Sequence, residues 1–183
     1  MRARQSKLPM LWLLSDARND ARLERALAVL PRGSGFVFRH YHLDAGQRAE
    51  RFLALAALAR ASGHLVVLAG TPALAFEWGA DGVYGCPARI GPARGMLKLG
   101  TAHDGEELAQ AWRAGADGVF LSPVFATASH PRAAPLGIHG FHVLSQQSPV
   151  PVIALGGLTK ARAEELHWPR WGALDGLTSS QVS

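Results

Sequence analysis

Cysteine is nearly absent: Cys86 is the one thiol in 183 residues. It cannot close an intramolecular disulfide, so packing must hold the core, and a reducing compartment, the cytoplasm, is expected. Long apolar runs are also missing. The N-terminal run from Leu8 to Leu14 contains Pro9 and stops at Ser15-Asp16. It is too short to span a bilayer and lacks a small-residue cleavage site, so it reads as a first strand rather than a signal peptide, and no membrane association is expected. Basic runs are missing as well. The net charge of +5 suits anionic small molecules as much as nucleic acid. The arginines, however, are scattered without interleaved aromatics, and a nucleic-acid partner is not expected. No G-x-G-x-x-G follows the first strand, which removes the Rossmann dinucleotide signature. Asp, Glu, His and Cys do not recur at ligand spacing in the loops, so no metal site is read from them. His139 and His142, three apart on a helix with no carboxylate partner, read as surface. Cys86 has no nearby base to activate it.

What is present is a globular composition, 48% hydrophobic and 18% charged, long enough for one domain over residues 1–183. A cassette organises it. Gly115-Ala-Asp-Gly-Val119 repeats Gly79-Ala-Asp-Gly-Val83 letter for letter, and Gly172-Ala-Leu-Asp-Gly-Leu177 repeats it with one insertion. Each copy follows a helix-like segment and precedes an apolar run. Glycine ends the helix, aspartate starts the turn and a strand follows, which is the junction of a βα repeat.

Eight apolar runs emerge in order: Met10–Leu14, Phe36–Tyr41, His64–Ala69, Gly82–Gly85, Met96–Thr101, the run beginning at Val119, Pro151–Gly157 and Ala173–Ser180. Helical spacing separates them, for example Leu23, Ala26, Leu27 and Leu30, or Phe52, Leu55 and Leu58. Asn19-Asp20, Asp104 with Glu107, and Thr159 are candidate helix caps. Pro87 to Gly95 reads as irregular. The pattern predicts an α/β protein, a (β/α)8 TIM barrel in a short version lacking the last helix; an open doubly wound sheet is the alternative. The missing helix predicts a homodimer contact or cover from the N-terminal segment over the exposed barrel wall.

In a barrel, chemistry sits on the loops that follow the strands. Gly156-Gly157 lets backbone N–H groups approach an oxyanion, and Thr178 and Ser179 add hydroxyls after strand eight. Arg39 ends an apolar strand, where a guanidinium facing inward needs an anion. His103 and His130 are candidates for phosphate binding or proton transfer. Lys98 lies inside strand five rather than at its end, which leaves no Schiff-base lysine.

These segments resemble, in order from Leu11 to about Ser179, the thiamine-phosphate synthase and thiazole tautomerase family. The most specific piece is Gly115-Ala-Asp117 through Ser-Pro-Val-Phe-Ala-Thr-Ala-Ser-His130, similar to the family's G-A-D…G-P-V-F-x-T-x-T-K. Pro151-Val-Ile-Ala-Leu-Gly-Gly157 is also similar. The resemblance implies a transferase of thiamine biosynthesis that joins hydroxymethylpyrimidine diphosphate to thiazole phosphate, with Mg²⁺ assisting diphosphate departure. It implies catalytic roles for Arg39, Thr101 and His130, and binding of a thiazole-phosphate or thiamine-phosphate type ligand by Thr127, Ser129, Gly156, Gly157, Thr178 and Ser179. The departures fall on one side of the site. The family's Q-L-R-E-K has Val37 and Tyr41 in place of Gln and Lys. Its metal-binding Asp residues align with Gly70 and near Arg89, and its loop-closing lysine with His130. Mg²⁺ is thus expected only with retained synthase activity. A ligand-binding or regulatory protein on the same barrel is the alternative. The tautomerase histidine aligns with Pro123, a synthase-type residue.

Overall fold

The computed structural model describes residues 8–93, 95–128 and 133–178. Eight strands run parallel and close on themselves in chain order: β1 Leu11–Leu14, β2 Gly35–Phe38, β3 Leu65–Ala69, β4 Gly82–Gly85, β5 Leu97–Ala102, β6 Gly118–Leu121, β7 Val152–Ala154 and β8 Trp171–Ala173. The helices between them are α1 Leu23–Val29, α2 Ala45–Ala61, α3 Pro72–Glu77, α4 Pro87–Ile90, α5 Gly105–Arg113, α6 Gly137–Gln147 and α7 Lys160–Leu166. A parallel ring must bury both of its faces, which is why its strands read as continuous apolar runs.

Side chains alternate between the two faces. Trp12, Leu14, Val37, Val67, Ala69, Tyr84, Leu99, Phe120 and Ile153 form one cluster, the filling of the barrel. Their strand neighbours Leu13, Phe36, Phe38, Val66 and Leu68 pack outward against α1 and α2, and Val119, Leu121 and Val152 do the same on the opposite side. Phe120 is the centre of the filling, edge-on to Trp12 at 5.7 Å and to Tyr84 at 5.3 Å. Leu8 plugs the lower end against Gly118, where a Cβ would lie 2.8 Å from its Cδ1.

The two full copies of the cassette do the same job. Asp81 Oδ2 accepts the Val66 N–H at 2.8 Å, and Asp117 Oδ2 accepts the Lys98 N–H at 2.9 Å. In each case the aspartate ahead of one strand ties the foot of the strand before it. The third copy does not behave this way. Gly172 lies inside β8, and Asp175-Gly176-Leu177 forms a 3-10 helix after it, so the expected strand Ala173–Ser180 is displaced to Trp171–Ala173. The inserted leucine moves the Asp-Gly pair from strand entry to strand exit.

Asp44, Thr71, Asp104 and Thr159 cap α2, α3, α5 and α7 by accepting the N–H three residues on. Asn19 caps nothing: its Oδ1 accepts the Asp16 N–H at 2.8 Å and its Nδ2 donates to Leu14 O. Pro87–Ile90 is a short helix rather than irregular. His142 is not simply surface, since its Nε2 bonds Leu166 O at 2.8 Å and its ring meets Phe141 and Trp168. Among the described residues no α-helix follows β8. Met10, Val29, Leu30, Trp168, Trp171 and Leu177 line an open groove of about 710 Å³ beside it. No helix of the described residues is long and apolar enough to cross a membrane.

Candidate active-site pocket

The C-terminal ends of the strands surround a cavity of about 440 Å³. Arg39 reaches it from β2, Tyr84 and Cys86 from β4, Thr101 and His103 from β5, Ser122 and Thr127 from β6, and Gly156 and Gly157 from β7. Of the residues singled out in the sequence, Arg39, Thr101, Thr127, Gly156 and Gly157 therefore share one pocket. Thr178 does not line it; its hydroxyl bonds the carbonyls of Leu174 and Asp175 at 3.3 and 3.2 Å. Ser129, His130 and Ser179 lie outside the described residues.

The β7 side is a tightly fitted corner. Strand pairing continues past the sheet, with Val124 N–H donating to Leu155 O at 2.9 Å and Phe125 N–H to Gly156 O at 3.1 Å. Gly157 sits at φ 64°, and a Cβ there would lie 2.5 Å from Ala126 O. Arg162 from α7 closes the corner, donating to Gly157 O at 2.7 Å while its guanidinium lies over the Phe125 ring at 5.1 Å. Only glycine lets the two loops approach so closely, and Thr127, the residue after Ala126, lines the same cavity as Gly156 and Gly157.

The opposite side is cationic and aromatic. Arg39 lies 5.7 Å from the Tyr41 ring centroid, and its Nη2 is 3.7 Å from Asp16 Oδ2. Its Nε is buried without a hydrogen-bond partner. Burial pushes the Tyr84 hydroxyl up to about 12, with Arg39 pulling weakly the other way, so it stays a neutral phenol near neutral pH. His103 Nδ1 meets Glu107 Oε2 at 2.7 Å, and the same oxygen accepts the His103 N–H. That Glu107 bond replaces the reciprocal half of the expected capping box.

A divalent metal finds little here. Among the described residues no three of His, Cys, Asp and Glu come together. Asp175 is the sole carboxylate among the described lining residues, and it faces Arg18 at 3.4 Å. Mg²⁺ takes hard, anionic oxygen ligands in octahedral array, and these residues do not fit it.

Two features of the site do not stand out in the sequence. Tyr84, mid-strand in β4, reaches the pocket because its alternation points it inward; the Val83-Tyr84 pair carries that signal. The other is a polar network beside Arg39, buried at Ser15 and His40 and half-buried at Asp20 and Arg51. Ser15 Oγ lies 2.7 Å from His40 Nδ1, His40 Nε2 is 2.8 Å from Asp20 Oδ1, and Arg51 Nε donates to the same oxygen at 2.8 Å. Its members are spread from residue 15 to residue 51, and no local spacing links them.

Comparison with known proteins identifies the family of the chain. The family model described as thiamine monophosphate synthase matches residues 11–170. The thiamine-phosphate synthase of Chloroflexus aurantiacus is 30% identical over 167 residues, covering 85% of this chain and 77% of that protein. That of Chlorobium phaeobacteroides is 26% identical over 166 residues, covering 86% and 81%. In fold, the thiamine phosphate pyrophosphorylase of Pyrococcus furiosus superposes with a TM-score of 0.79 at 21% identity, over 97% of this chain and 91% of that one. With the match running from the first strand to the approach of the eighth, the chain belongs to the thiamine monophosphate synthase family.

Proposed function

We propose that the pocket binds a phosphorylated heterocycle of the thiazole-phosphate or thiamine-phosphate type, and that the chain acts as a thiamine-phosphate-synthase-type protein. One observation carries this reading: loop ends from β2, β5, β6 and β7 converge on a single cavity with a glycine corner at one side and Arg39 at the other. Backbone amides and a hydroxyl suit a phosphate monoester, whose oxygens accept several short bonds at once. Arg39 suits the anionic group of a second substrate, and Tyr84 offers a neutral donor between them. In the coupling reaction the thiazole nitrogen would form a bond to the pyrimidine methylene carbon as that carbon loses diphosphate. The chain's part is to align the two partners and exclude water. Ser129, His130 and Ser179 join this reading from the sequence alone.

The family reaction uses Mg²⁺, and the described residues hold no set of ligands for it. This favours a second reading, binding of the phosphate ligand without turnover. Calorimetry with thiazole phosphate and thiamine phosphate, followed by a coupling assay with hydroxymethylpyrimidine diphosphate and Mg²⁺, separates the two. Saturable binding with product supports the synthase. Binding without product leaves the ligand-binding protein, and absence of binding removes both. We also infer that a second copy of the chain covers the groove beside β8, which light scattering would report as a dimer; a monomer overturns it.

A further inference from the structure

Ser15, His40 and Asp20 have the composition of a catalytic triad, but not its accessibility. Ser15 is fully buried and His40 is 1% exposed. The serine is no nucleophile: no substrate reaches it, and its Oγ already accepts the Arg39 N–H at 2.8 Å. What the triad does hold is Arg39. The residue's N–H is fixed by Ser15, and its carbonyl accepts Arg48 Nε and Nη2 at 3.0 and 2.8 Å. Arg48 Nη2 also bonds Ala69 O, tying β2's exit to that of β3. His40 stacks flat on Phe38 at 4.6 Å and takes a φ of 40°, the bend that ends β2 and turns the chain away from the rim.

We propose that His40 is a positioning residue which, through Ser15, sets Arg39 over the anion end of the pocket and releases it when the ring is protonated. The inference rests on the reading of that pocket as a phosphate-ligand site. The tautomer is assigned from the partners. Asp20 can only accept, so Nε2 carries the proton and Nδ1 accepts the Ser15 hydroxyl. That leaves the Ser15 lone pairs directed at the Arg39 N–H. A second proton on the ring reverses the bond: Nδ1 then donates to Ser15 Oγ, and the buried serine hydroxyl loses its acceptor, so that the contact holding the Arg39 N–H carries a cost it did not carry before. The charged groups around the ring are Asp20 from a 3-10 helix, Asp20–Arg22, between β1 and α1, Arg51 from α2, which also pairs with Glu24 of α1, and His42, centred 5.2 Å away in the same loop as His40. Arg48 stands beyond Phe38, its guanidinium 5.7 Å from that ring. Burial holds the His40 ring below the ordinary histidine range, although the Asp20 bond and charge pull upward. Asp20 is itself held low despite burial, by its bonds to His40 and Arg51. The two directions fit a neutral ring donating to a carboxylate whose charge is met by Arg51.

The test is a double-mutant cycle on the full chain, with thiamine phosphate as probe and calorimetry as readout. Ser15→Ala should weaken binding about tenfold in the wild type and leave it unchanged in an Arg39→Ala background, because the serine acts through the arginine. Affinity should fall as pH drops below the ordinary histidine value of 6.5, more steeply than the phosphate's own second ionisation at about 6 accounts for. His40→Asn, which tolerates this backbone bend, should remove that excess and leave only the ligand's share. Equal effects of Ser15→Ala in both backgrounds would overturn the proposal. If the wild type binds no phosphate compound, the pocket reading fails. The positioning claim is still decided by NMR: the Arg39 Nε–H resonance must titrate with the midpoint of the His40 ring and lose that step in His40→Asn. An Arg39 signal indifferent to His40 refutes it.

Discussion

Gly157→Ala tests the glycine corner most directly, because the molecule contains a matched control. Gly157 and Gly115 share nearly the same backbone, φ 64° and 69°. A Cβ at Gly115 meets nothing within 4 Å, whereas one at Gly157 lies 2.5 Å from Ala126 O and 3.0 Å from Phe125 Cβ. Both alanines incur the left-handed penalty, about 1 kcal/mol. Only Gly157→Ala adds overpacking against a backbone oxygen, about 2 kcal/mol, because that atom cannot rotate away as a side chain could. The expected losses are therefore about 3 kcal/mol at Gly157 and about 1 kcal/mol at Gly115, or about 6–12 °C and 2–4 °C in Tm. Urea denaturation with linear extrapolation reads both values, and the slope should stay constant. Pushing Ala126 aside also moves neighbouring Thr127, so affinity for thiazole phosphate should fall about tenfold in Gly157→Ala and hold in Gly115→Ala. Equal destabilisation by the two substitutions would show that the β6 and β7 loops are not in contact here, and the corner would lose its physical basis.

Phe120→Ala should cost about 3–5 kcal/mol by denaturation, since it empties the centre of the barrel between Trp12 and Tyr84; a loss below about 1 kcal/mol would contradict the packing described. Lys98→Met should destabilise by about 1–3 kcal/mol without changing ligand affinity, because buried Nζ donates to Gly91 O and Ala114 O, at 2.8 and 2.7 Å, away from the pocket. Stability should fall with acidification in two stages. His40 is held below its ordinary 6.5, so its contribution is intact above that pH and is lost as pH falls toward its folded value. Asp16 and Asp20 are held below 3.8: burial alone would raise them, but the bonds and charges of Arg18 and Arg39 on the one and of His40 and Arg51 on the other outweigh it. Their contribution is lost only as pH falls further, through those lowered values. A His40→Asn chain that keeps the first stage in thermal melts would refute this assignment.

The barrel was legible because a parallel ring buries both faces of every strand, and such runs stand out between amphipathic helices. Arg39, Thr101, Thr127, Gly156 and Gly157 could be found for the same reason: they follow the ends of those runs. Strand ends were less legible where a tertiary bond decides them. β2 stops at Phe38 because Ser15 takes the Arg39 N–H and His40 bends the chain, and neither event has a signature in Phe36–Tyr41. The eighth strand misled because Gly172-Ala-Leu-Asp-Gly mimics a junction that the extra leucine has turned inside out. The Ser15–His40–Asp20–Arg51 network was illegible for a simpler reason: the exits of β1 and β2, the turn after β1 and the helix α2 each supply a member, and only the pairing of β1 with β2 and the packing of α2 bring them together.

The aspartate ties at Asp81 and Asp117 have a consequence for how such a protein changes. They fasten strand to strand at the foot of the ring, the end farthest from the pocket. Alignment of the staves is thus settled before any rim residue is chosen. Residues lining the mouth, Tyr41, Thr101 and Thr127 among them, can change without disturbing the joinery below, and new ligands can be tried on a frame that never has to be rebuilt.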